Sequence, residues 1–207
     1  MRLHEWAILH QGVVTKETTW MGVPMQKSPL DSWIYQELFH RVRPEVVIEI
    51  GSYAGGSTLY FAHLLDLLGE GLVVSIDVSR AGYRVEHDRI ATLTGSSADP
   101  AIVDEVGKRC RGRRTFIIHD GDHSRTAVLQ DLRAYAGLIS AGSYFVVEDG
   151  IVDQFPVGSE LHPEKISEGP LLAIEEFLLE DDRFEVDVAC ERYLMTWNPK
   201  GYLRRRG

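Results

Sequence analysis

The chain has 207 residues and a formal net charge of -9, a size that suits one domain with a sizeable hydrophobic core. The acidic balance argues against a nucleic-acid partner, because nucleic acids are bound mainly by clustered Lys and Arg. Two cysteines, Cys110 and Cys190, are too few for a disulfide framework and too far apart for a zinc motif. No stretch has the apolar length of a signal peptide or membrane span, so we expect a cytoplasmic protein without a membrane partner.

Residues 1–28 place large apolar side chains among polar ones without a clean period. They predict an irregular N-terminal arm, which could pack against the domain or cover an active site. From Pro29 the spacing of apolar residues becomes helical, and Pro44 ends this helix before the first strand. We assign residues 29–207 to a single domain.

The stretch EVVIEIGSYAGGST at 45–58 predicts a buried strand, a glycine turn and the start of a helix. Glu49 lies at the end of the strand and needs hydrogen-bond donors or a polar ligand, because burying a carboxylate is costly. Ser57 or Thr58 begins the helix. Three glycines allow a tight turn whose N–H groups come close to a ligand: Gly51, Gly55 and Gly56. The turn therefore predicts a small-molecule cradle at the carboxyl edge of a sheet.

The spacing within this turn favours S-adenosylmethionine over a dinucleotide. A dinucleotide site uses G-x-G-x-x-G, so that a pyrophosphate lies on the helix N-terminus. Here Tyr53 stands two residues after Gly51, where its bulk impedes a phosphate, and Glu49 suits a cationic amino-acid ligand better. A glycine turn that only packs a helix is the alternative.

The next two predicted strands also end in polar residues. A strand over 72–76 ends in Asp77, at the position where nucleoside-binding α/β folds place a carboxylate that accepts both ribose hydroxyls. A third strand over 90–94 is followed by Ser96 and Ser97. These small polar residues either contact an adenine ring or form an ordinary turn.

Strands and helices continue to alternate through the rest of the chain. Helices are predicted over 58–68, 124–138 and 170–179, and strands over 115–119 and 144–147. The segments 184–188 and 193–197 predict an antiparallel hairpin, 153–167 a lid or binding loop, and 204–206 a solvated tail. The fold class is α/β, with a doubly wound Rossmann-like sheet that is mostly parallel and has an antiparallel C-terminal hairpin strand. That hairpin distinguishes a methyltransferase sheet from a dinucleotide-binding one.

Four carboxylates follow the fourth and fifth strands: Asp120, Asp122, Glu148 and Asp149. The carboxyl ends of parallel strands meet at one edge of a sheet, so these acids converge and would repel each other if unpaired. Mg²⁺ or another hard divalent cation removes that conflict, because it binds carboxylate oxygens and leaves room for substrate oxygens. A structural charge network, in which neighbouring Arg125 neutralises one acid, is the alternative.

His123 lies three residues beyond Asp120, near the start of a helix. Histidine is suited to take the proton from a hydroxyl that a metal has acidified. A carboxylate near a divalent cation is a weak base at neutral pH, so we predict that His123 is the base and that Asp122 supports the site. The alternative for His123 is a helix-start histidine bonded to a backbone carbonyl.

Five segments resemble the cephalosporin hydroxylase family in their order and context: GSYAGGST, IHDGDHS, VVEDG, EGPLLAIEEFL and MTWNPKGYLRR. The resemblance extends from about Trp20 to the C-terminus. Despite its name, that family looks like the class I S-adenosylmethionine-dependent methyltransferases. Its site design is similar to that of the magnesium-dependent sugar O-methyltransferases of antibiotic pathways.

The resemblance implies S-adenosylmethionine in the glycine turn, with Asp77 on its ribose, and a metal on the carboxylates. The implied metal ligands are Asp120, Glu148 and Asp149. The predicted cofactor-binding residues are Glu49, Gly51, Tyr53, Gly55, Gly56, Ser57, Asp77, Ser96, Ser97 and Asp120. In the sugar methyltransferases the base is in some cases a histidine placed like His123 and in others an aspartate placed like Asp122. Both types occur here, and a homo-oligomer is compatible with the resemblance.

These features predict a class I methyltransferase that transfers a methyl group to a hydroxyl of a small sugar-like or polyhydroxylated metabolite. A hydroxylase, as the family name suggests, is one alternative, but it would need a redox centre. The sequence shows neither a His-rich iron triad nor a convincing flavin or nicotinamide fingerprint. A non-catalytic S-adenosylmethionine-binding module is the other alternative, which would bind the cofactor and methylate no acceptor.

Overall fold

A computed structural model describes residues 3–159 and 166–207, with side chains from Glu5 onward. The helices are α1 (Leu3–Glu17), α2 (Pro29–Val42), α3 (Gly56–Leu68), α4 (Pro100–Cys110), α5 (Arg125–Tyr135) and α6 (Pro170–Glu180). The strands are β1 (Thr19–Trp20), β2 (Val23–Pro24), β3 (Val46–Ile50), β4 (Leu72–Asp77), β5 (Ile90–Thr94), β6 (Thr115–His119), β7 (Tyr144–Val147), β8 (Phe184–Val186) and β9 (Tyr202–Arg205).

The main sheet of the described chain has the strand order β5-β4-β3-β6-β7-β9-β8. The pairs from β5 to β7 are all parallel, whereas β9 pairs antiparallel with both β7 and β8. Strands β1 and β2 form a separate antiparallel ribbon. The predicted fold class is therefore confirmed: an α/β sheet that is mostly parallel, with antiparallel C-terminal strands.

Helices cover both faces of the sheet, which explains why the central strands are mostly apolar. In β3, Val46, Ile48 and Ile50 point to the core shared with α4, α5 and α6, and Val47 points to the core shared with α2 and α3. This alternation is the two-residue period of a strand. Because the carboxyl ends of β3, β4, β6 and β7 meet at one edge, the polar residues that follow these strands are brought together.

The prediction of an irregular arm is wrong for most of residues 1–28, since Leu3–Glu17 forms helix α1. Ala7 and Val14 are buried on its inner face, while Leu9 and Val13 are exposed. Apolar residues on both faces weaken the helical period, so the sequence pattern concealed the helix. The domain boundary at residue 28 stays a prediction.

The prediction of a hairpin strand over 193–197 is also wrong, because β8 pairs with β9 instead. Asp31 of α2 holds the 196–197 segment out of the sheet, since its buried carboxylate accepts the Thr196 hydroxyl at 2.6 Å and the Trp197 N–H at 2.9 Å. The same carboxylate accepts the Tyr202 hydroxyl at 2.7 Å. A contact with a residue so distant in sequence leaves no local pattern.

The prediction of a solvated tail at 204–206 is wrong in part. Arg204 and Arg205 belong to β9, where Arg205 lies opposite Phe184, and Arg206 pairs with Glu185 at 3.2 Å on the surface. The predicted lid over 153–167 falls partly on residues 160–165, which lie outside the described residues. No helix of the described ranges combines the length and the apolarity needed to cross a bilayer.

Candidate active site

A cavity of about 710 Å³ opens at the carboxyl edge of the sheet. Most of the predicted site residues line it: Gly51, Tyr53, Ser57, Asp77, Ser96, Ser97, Asp120, Asp122, His123 and Asp149. Four predicted residues do not: Glu49, Gly55, Gly56 and Glu148. The cavity size falls within the usual range of roughly 300–1,000 Å³ for a small-molecule site.

The glycine turn after β3 is possible only because two of its residues have no side chain. Gly51 has φ +83°, and a Cβ there would lie 2.1 Å from the backbone oxygen of Asp120. A Cβ on Gly56 would lie 2.2 Å from the backbone oxygen of Pro24. These approaches bring the turn, the tip of β6 and the N-terminal segment into direct contact, so Gly56 shapes the cradle without lining it.

Asp77 lies at the tip of β4 and is held by backbone donors. Its Oδ2 accepts the N–H groups of Ser52 at 2.9 Å and Tyr53 at 3.1 Å, and its Oδ1 accepts the N–H of Ser79 at 3.1 Å. Burial opposes ionisation, but these hydrogen bonds outweigh it and lower the pKa of Asp77. Asp77 is therefore a fixed, ionised carboxylate at the cavity wall.

Arg80 stabilises the same region, although no sequence pattern singled it out. Its guanidinium donates to the Ser52 hydroxyl at 2.7 Å and to the backbone oxygens of Ser75 at 2.6 Å and Leu93 at 2.8 Å. These bonds tie the glycine turn to β4 and β5. The orientation of Asp77 thus depends on a network that extends across three strands.

The turn after β5 uses its serines mainly for internal structure. The Ser97 hydroxyl donates to Asp131 at 2.7 Å, and the Ser97 backbone oxygen accepts the Tyr135 hydroxyl at 2.5 Å. Buried His119 has its Nε2 3.2 Å from Asp131 Oδ2. Ser96 and Ser97 still line the cavity, so both readings of these serines, turn and ligand contact, are compatible with the structure.

Glu49 lies beneath the glycine turn rather than in the cavity. Its carboxylate is fully buried and accepts the Thr58 hydroxyl, while Oε1 has no hydrogen-bond partner within the described chain. Burial raises the pKa of Glu49 to about 7. The predicted need for hydrogen-bond donors is thus met by helix α3 for one oxygen only.

Glu148 is likewise buried, and its partners are a lysine and a tyrosine. The Lys27 Nζ lies 2.7 Å from Glu148 Oε1 and 2.7 Å from Asp120 Oδ2, and the Tyr35 hydroxyl donates to Glu148 at 2.5 Å. Burial raises the pKa of Glu148, against the lowering effect of Lys27. The sequence analysis missed Lys27 and offered Arg125 as the neutralising cation. That assignment is wrong, since Arg125 pairs with Glu168 and Glu176.

Three residues that face the cavity form what we name the cavity group: Asp120, His123 and Asp149. One ligand atom from each lies within 4.8 Å of the other two. His123 Nε2 is 3.3 Å from Asp149 Oδ2 and 3.9 Å from Asp120 Oδ1. His123 Nδ1 has no hydrogen-bond partner among the described residues, so the predicted bond to a backbone carbonyl is not formed by that atom. Burial raises the pKa of Asp149.

Asp122 stands next to the cavity group but has a structural task. Its Oδ1 accepts the N–H of Ser124 at 2.9 Å, where Ser124 is the N-cap of α5. This bond lowers the pKa of the exposed Asp122 carboxyl, which makes it a poorer proton acceptor. The geometry therefore favours His123 over Asp122 as a base.

A second group of metal-ligand residues lies at the surface, and we name it the surface group: His63, Asp66 and His87. Its atoms are already engaged. His63 Nδ1 accepts the Trp20 indole N–H at 2.9 Å, and His87 Nε2 is 3.0 Å from Asp66 Oδ2. Arg89 donates to Asp66 Oδ1 at 2.7 Å.

The strand order, the glycine turn, the acidic tip of β4 and the cavity group together define the architecture of a class I methyltransferase. The sequence profile of the Rhamnosyl O-methyltransferase/CmcI family matches residues 12–206, and the chain therefore belongs to this family. This confirms the resemblance to the cephalosporin hydroxylase family.

Relatives in mycobacteria are similar over nearly the whole chain. The Rhamnosyl O-methyltransferase of Mycobacterium leprae (strain TN) is 34% identical over 211 residues, which cover 98% of this chain and 89% of that protein. The Rhamnosyl O-methyltransferase of Mycobacterium tuberculosis (strain ATCC 25618 / H37Rv) is 34% identical over 215 residues, which cover 98% of this chain and 83% of that protein.

Solved structures share the fold at lower sequence identity. A cmcI structure with Mg and SAM superposes with a TM-score of 0.71 at 20% identity, covering 100% of this chain and 85% of that one. The MycE methyltransferase from the mycinamycin biosynthetic pathway, in complex with Mg and SAH, gives a TM-score of 0.52 at 22% identity. That match covers 70% of this chain and 41% of MycE.

Proposed function

We propose that the chain is an S-adenosylmethionine-dependent, divalent-metal-assisted O-methyltransferase that acts on a hydroxyl of a sugar or another small polyhydroxylated molecule. The observation that carries this proposal is one cavity that joins the glycine turn and Asp77 to the cavity group. The mycobacterial relatives support a rhamnosyl group as the type of acceptor. A cytoplasmic location and a homo-oligomer stay predictions from the sequence.

The residues of the glycine turn suit S-adenosylmethionine. Gly51 lines the cavity where the turn lies against the backbone of Asp120, and the ionised carboxylate of Asp77 is an acceptor for vicinal ribose hydroxyls. Tyr53, Ser57, Ser96 and Ser97 line the same cavity and complete this half of the site. Glu49 lies beneath the turn, and Gly55 and Gly56 lead from the turn into helix α3. S-adenosylmethionine, when bound, would supply an electrophilic methyl group.

The cavity group suits a hard divalent cation such as Mg²⁺. Asp120 and Asp149 offer carboxylate oxygens within 4.8 Å of each other and of His123, and oxygen donors are the ligands that Mg²⁺ prefers. Glu148, the third predicted ligand, is engaged by Lys27 and Tyr35. A divalent cation, when bound, would supply positive charge that favours loss of the acceptor's hydroxyl proton.

His123 is the residue that takes that proton. Asp149 orients its imidazole from 3.3 Å, in the manner of the carboxylate that holds a catalytic histidine. Transfer of the methyl group to the acceptor oxygen would release S-adenosylhomocysteine, while His123 would hold the proton lost from the hydroxyl. The products are a methyl ether, S-adenosylhomocysteine and protonated His123, which returns its proton to solvent. Asp122 holds the start of α5 in place.

Helix α1 and the loop before β9 provide the wall that we assign to the acceptor. His10 and Gln11 of α1 line the cavity together with Met195 and Trp197. The ring centroids of His10 and Trp197 are 6.1 Å apart in an edge-to-face arrangement. Aromatic surface beside polar side chains suits a sugar, which has an apolar ring face and hydroxyl edges.

Transfer of a labelled methyl group from S-adenosylmethionine to simple rhamnosides tests the proposal. We expect methylation that disappears with a chelator and returns with Mg²⁺, while S-adenosylhomocysteine affinity measured by calorimetry changes little. Cofactor binding without methylation of rhamnosides or of other simple glycosides would favour a binding module. Absence of cofactor binding would overturn the proposal.

A further inference from the structure

Lys27 places a buried positive charge beside the carboxylates that we assign to a divalent cation. It is 2% exposed, and its ammonium lies between Asp120 and Glu148 at 2.7 Å from an oxygen of each. Two carboxylates at hydrogen-bond distance from a buried ammonium favour its charged form. Lys27 is therefore an internal cation at the edge of the cavity group.

The two oxygens of Asp120 have different neighbours. Oδ2 pairs with Lys27, whereas Oδ1 points toward His123 at 3.9 Å. Glu148 Oε1 is shared by Lys27 and Tyr35. A divalent cation that binds Asp120 Oδ2 or Glu148 Oε1 has to displace the ammonium, and a cation at Asp120 Oδ1 and Asp149 lies beside its positive charge. In either position the ammonium opposes the metal.

We propose that Lys27 is a tethered counter-cation that competes with the divalent metal for the negative charge of Asp120 and Glu148, so that metal binding weakens its contact with Asp120. This inference rests on the proposed function, because it concerns the same metal site. Without metal, Lys27 neutralises buried carboxylates that would otherwise repel each other across the tips of β6 and β7. With metal, the same lysine limits the affinity, which keeps the ion exchangeable.

The position of Lys27 in the chain is compatible with movement of its ammonium away from Asp120. It lies between the β1–β2 ribbon and the first turn of α2, on a connecting segment rather than within a regular element. The neighbouring Met25 is buried in the core, and Pro29 begins α2, so the backbone on both sides is anchored. Four carbons separate the backbone of Lys27 from its ammonium, so rotation about the side-chain bonds can move the ammonium relative to Asp120 while the backbone stays anchored.

Titration with Mn²⁺, followed by electron paramagnetic resonance of the free ion, tests this competition. We expect Lys27→Met to bind Mn²⁺ at least tenfold more tightly than the unmodified chain. Its melting temperature should be lower without metal, and the rise on adding Mn²⁺ should be larger. Lys108→Met is the matched control, because it removes the same charge from an exposed helix position and should leave Mn²⁺ affinity unchanged.

A second variant and a second measurement keep the test decisive. Lys27→Gln replaces Lys27→Met if the latter does not fold, since the amide can donate to a carboxylate without a charge. In the unmodified chain, the ¹⁵N resonance of the Lys27 ammonium should shift or disappear on saturation with Mg²⁺. Equal Mn²⁺ affinity of a folded variant and the unmodified chain, or an unaltered ammonium resonance, would overturn the competition alone. Absence of Mn²⁺ binding to every chain would overturn the metal site of the proposed function as well.

Discussion

The cavity group and the surface group contain the same residue types, yet their atoms are differently engaged. In the cavity group, His123 Nδ1 has no hydrogen-bond partner within the described ranges, and Asp149 faces the cavity. In the surface group, His63 accepts from Trp20, and Arg89 binds Asp66. In both groups, one ligand atom of each residue lies within 4.8 Å of a ligand atom of the other two.

The tautomers of the surface group follow from its hydrogen bonds. His87 Nδ1 accepts the backbone N–H of Arg89 at 3.1 Å, so its Nε2 carries the proton and donates to Asp66. His63 Nδ1 is also an acceptor, which places the proton of the neutral ring on Nε2. A metal would have to displace these partners. Ligand residues that lie close together are therefore a weak sign of a metal site when hydrogen-bond partners already hold their atoms.

The variant with the largest expected effect is His123→Ala, which tests the cavity group. We expect kcat to fall by about a hundredfold or more, because the base for the acceptor proton is lost. The measurement is the initial rate of methyl transfer at saturating Mg²⁺ and S-adenosylmethionine. Asp122→Asn is the matched control and should be much milder. The reverse order of effects would transfer the role of base to Asp122.

Asp77→Ala tests the cofactor half of the cavity. Loss of a charge-assisted hydrogen-bonding partner should weaken S-adenosylmethionine and S-adenosylhomocysteine by about 2 kcal/mol, measured by calorimetry without metal. Asp88→Ala removes the same charge from an exposed position beyond β4 and should leave binding unchanged. Unaltered affinity of Asp77→Ala would contradict the assignment of the ribose to this residue.

Glu49→Gln tests whether the buried carboxylate beneath the glycine turn lowers the free energy of unfolding. The pKa of Glu49 is about 7 in the fold against 4.5 when unperturbed, so its contribution to stability is fully present below pH 4.5 and is lost as pH rises through 7. The amide carries no charge to desolvate. We therefore expect Glu49→Gln to raise the free energy of unfolding by about 1–2 kcal/mol at pH 8, and to change it little at pH 4.

Urea unfolding at the two pH values measures this difference. Exposed Glu86→Gln serves as the control and should show no such pH dependence. A Glu49→Gln variant that is destabilised at pH 8 would mean that the charged carboxylate has a stabilising partner, and the account of its burial would be wrong.

His87→Ala gives the smallest effect and addresses the surface group directly. It removes the contact with Asp66 at 3.0 Å, and we expect a loss of less than about 1 kcal/mol in stability. Mn²⁺ affinity and methyl transfer should be unchanged. A fall in either would show that the surface group binds a functional metal after all, and the comparison with the cavity group would fail.

The parts of the fold that the sequence predicted are those that local pattern determines. Strands β3, β6 and β7 are short apolar runs covered on both faces, and their bounds followed from that composition. Helix α1 was missed because its apolar residues occupy both faces. Strand β9 was missed because the alternating segment before it is held by Asp31 rather than by a neighbouring strand.

In the site, too, the residues that were predicted are those that local sequence pattern determines. Residues at strand tips, such as Asp77 and His123, follow from the rule that parallel strands end at one edge. Lys27 does not, because it lies 93 residues from Asp120 and 121 from Glu148 in the sequence. The four carboxylates after β6 and β7 did indicate that a cation lies near them. The sequence could not show that an N-terminal lysine, rather than nearby Arg125, was that cation.

The carboxylate of Asp31 has a consequence for how the chain assembles. It joins the first turn of α2 to Thr196, Trp197 and Tyr202, at sequence separations of 165, 166 and 171 residues. Contacts so distant in sequence form late in folding, because closing a long loop costs entropy before the contact is gained. The segment that carries Lys27 and Asp31 is synthesised early, yet it waits for β9 before its buried acid is satisfied. The parallel strands are therefore synthesised before residues 196–202, which complete the hydrogen bonds of Asp31 and contribute Trp197 to the cavity wall.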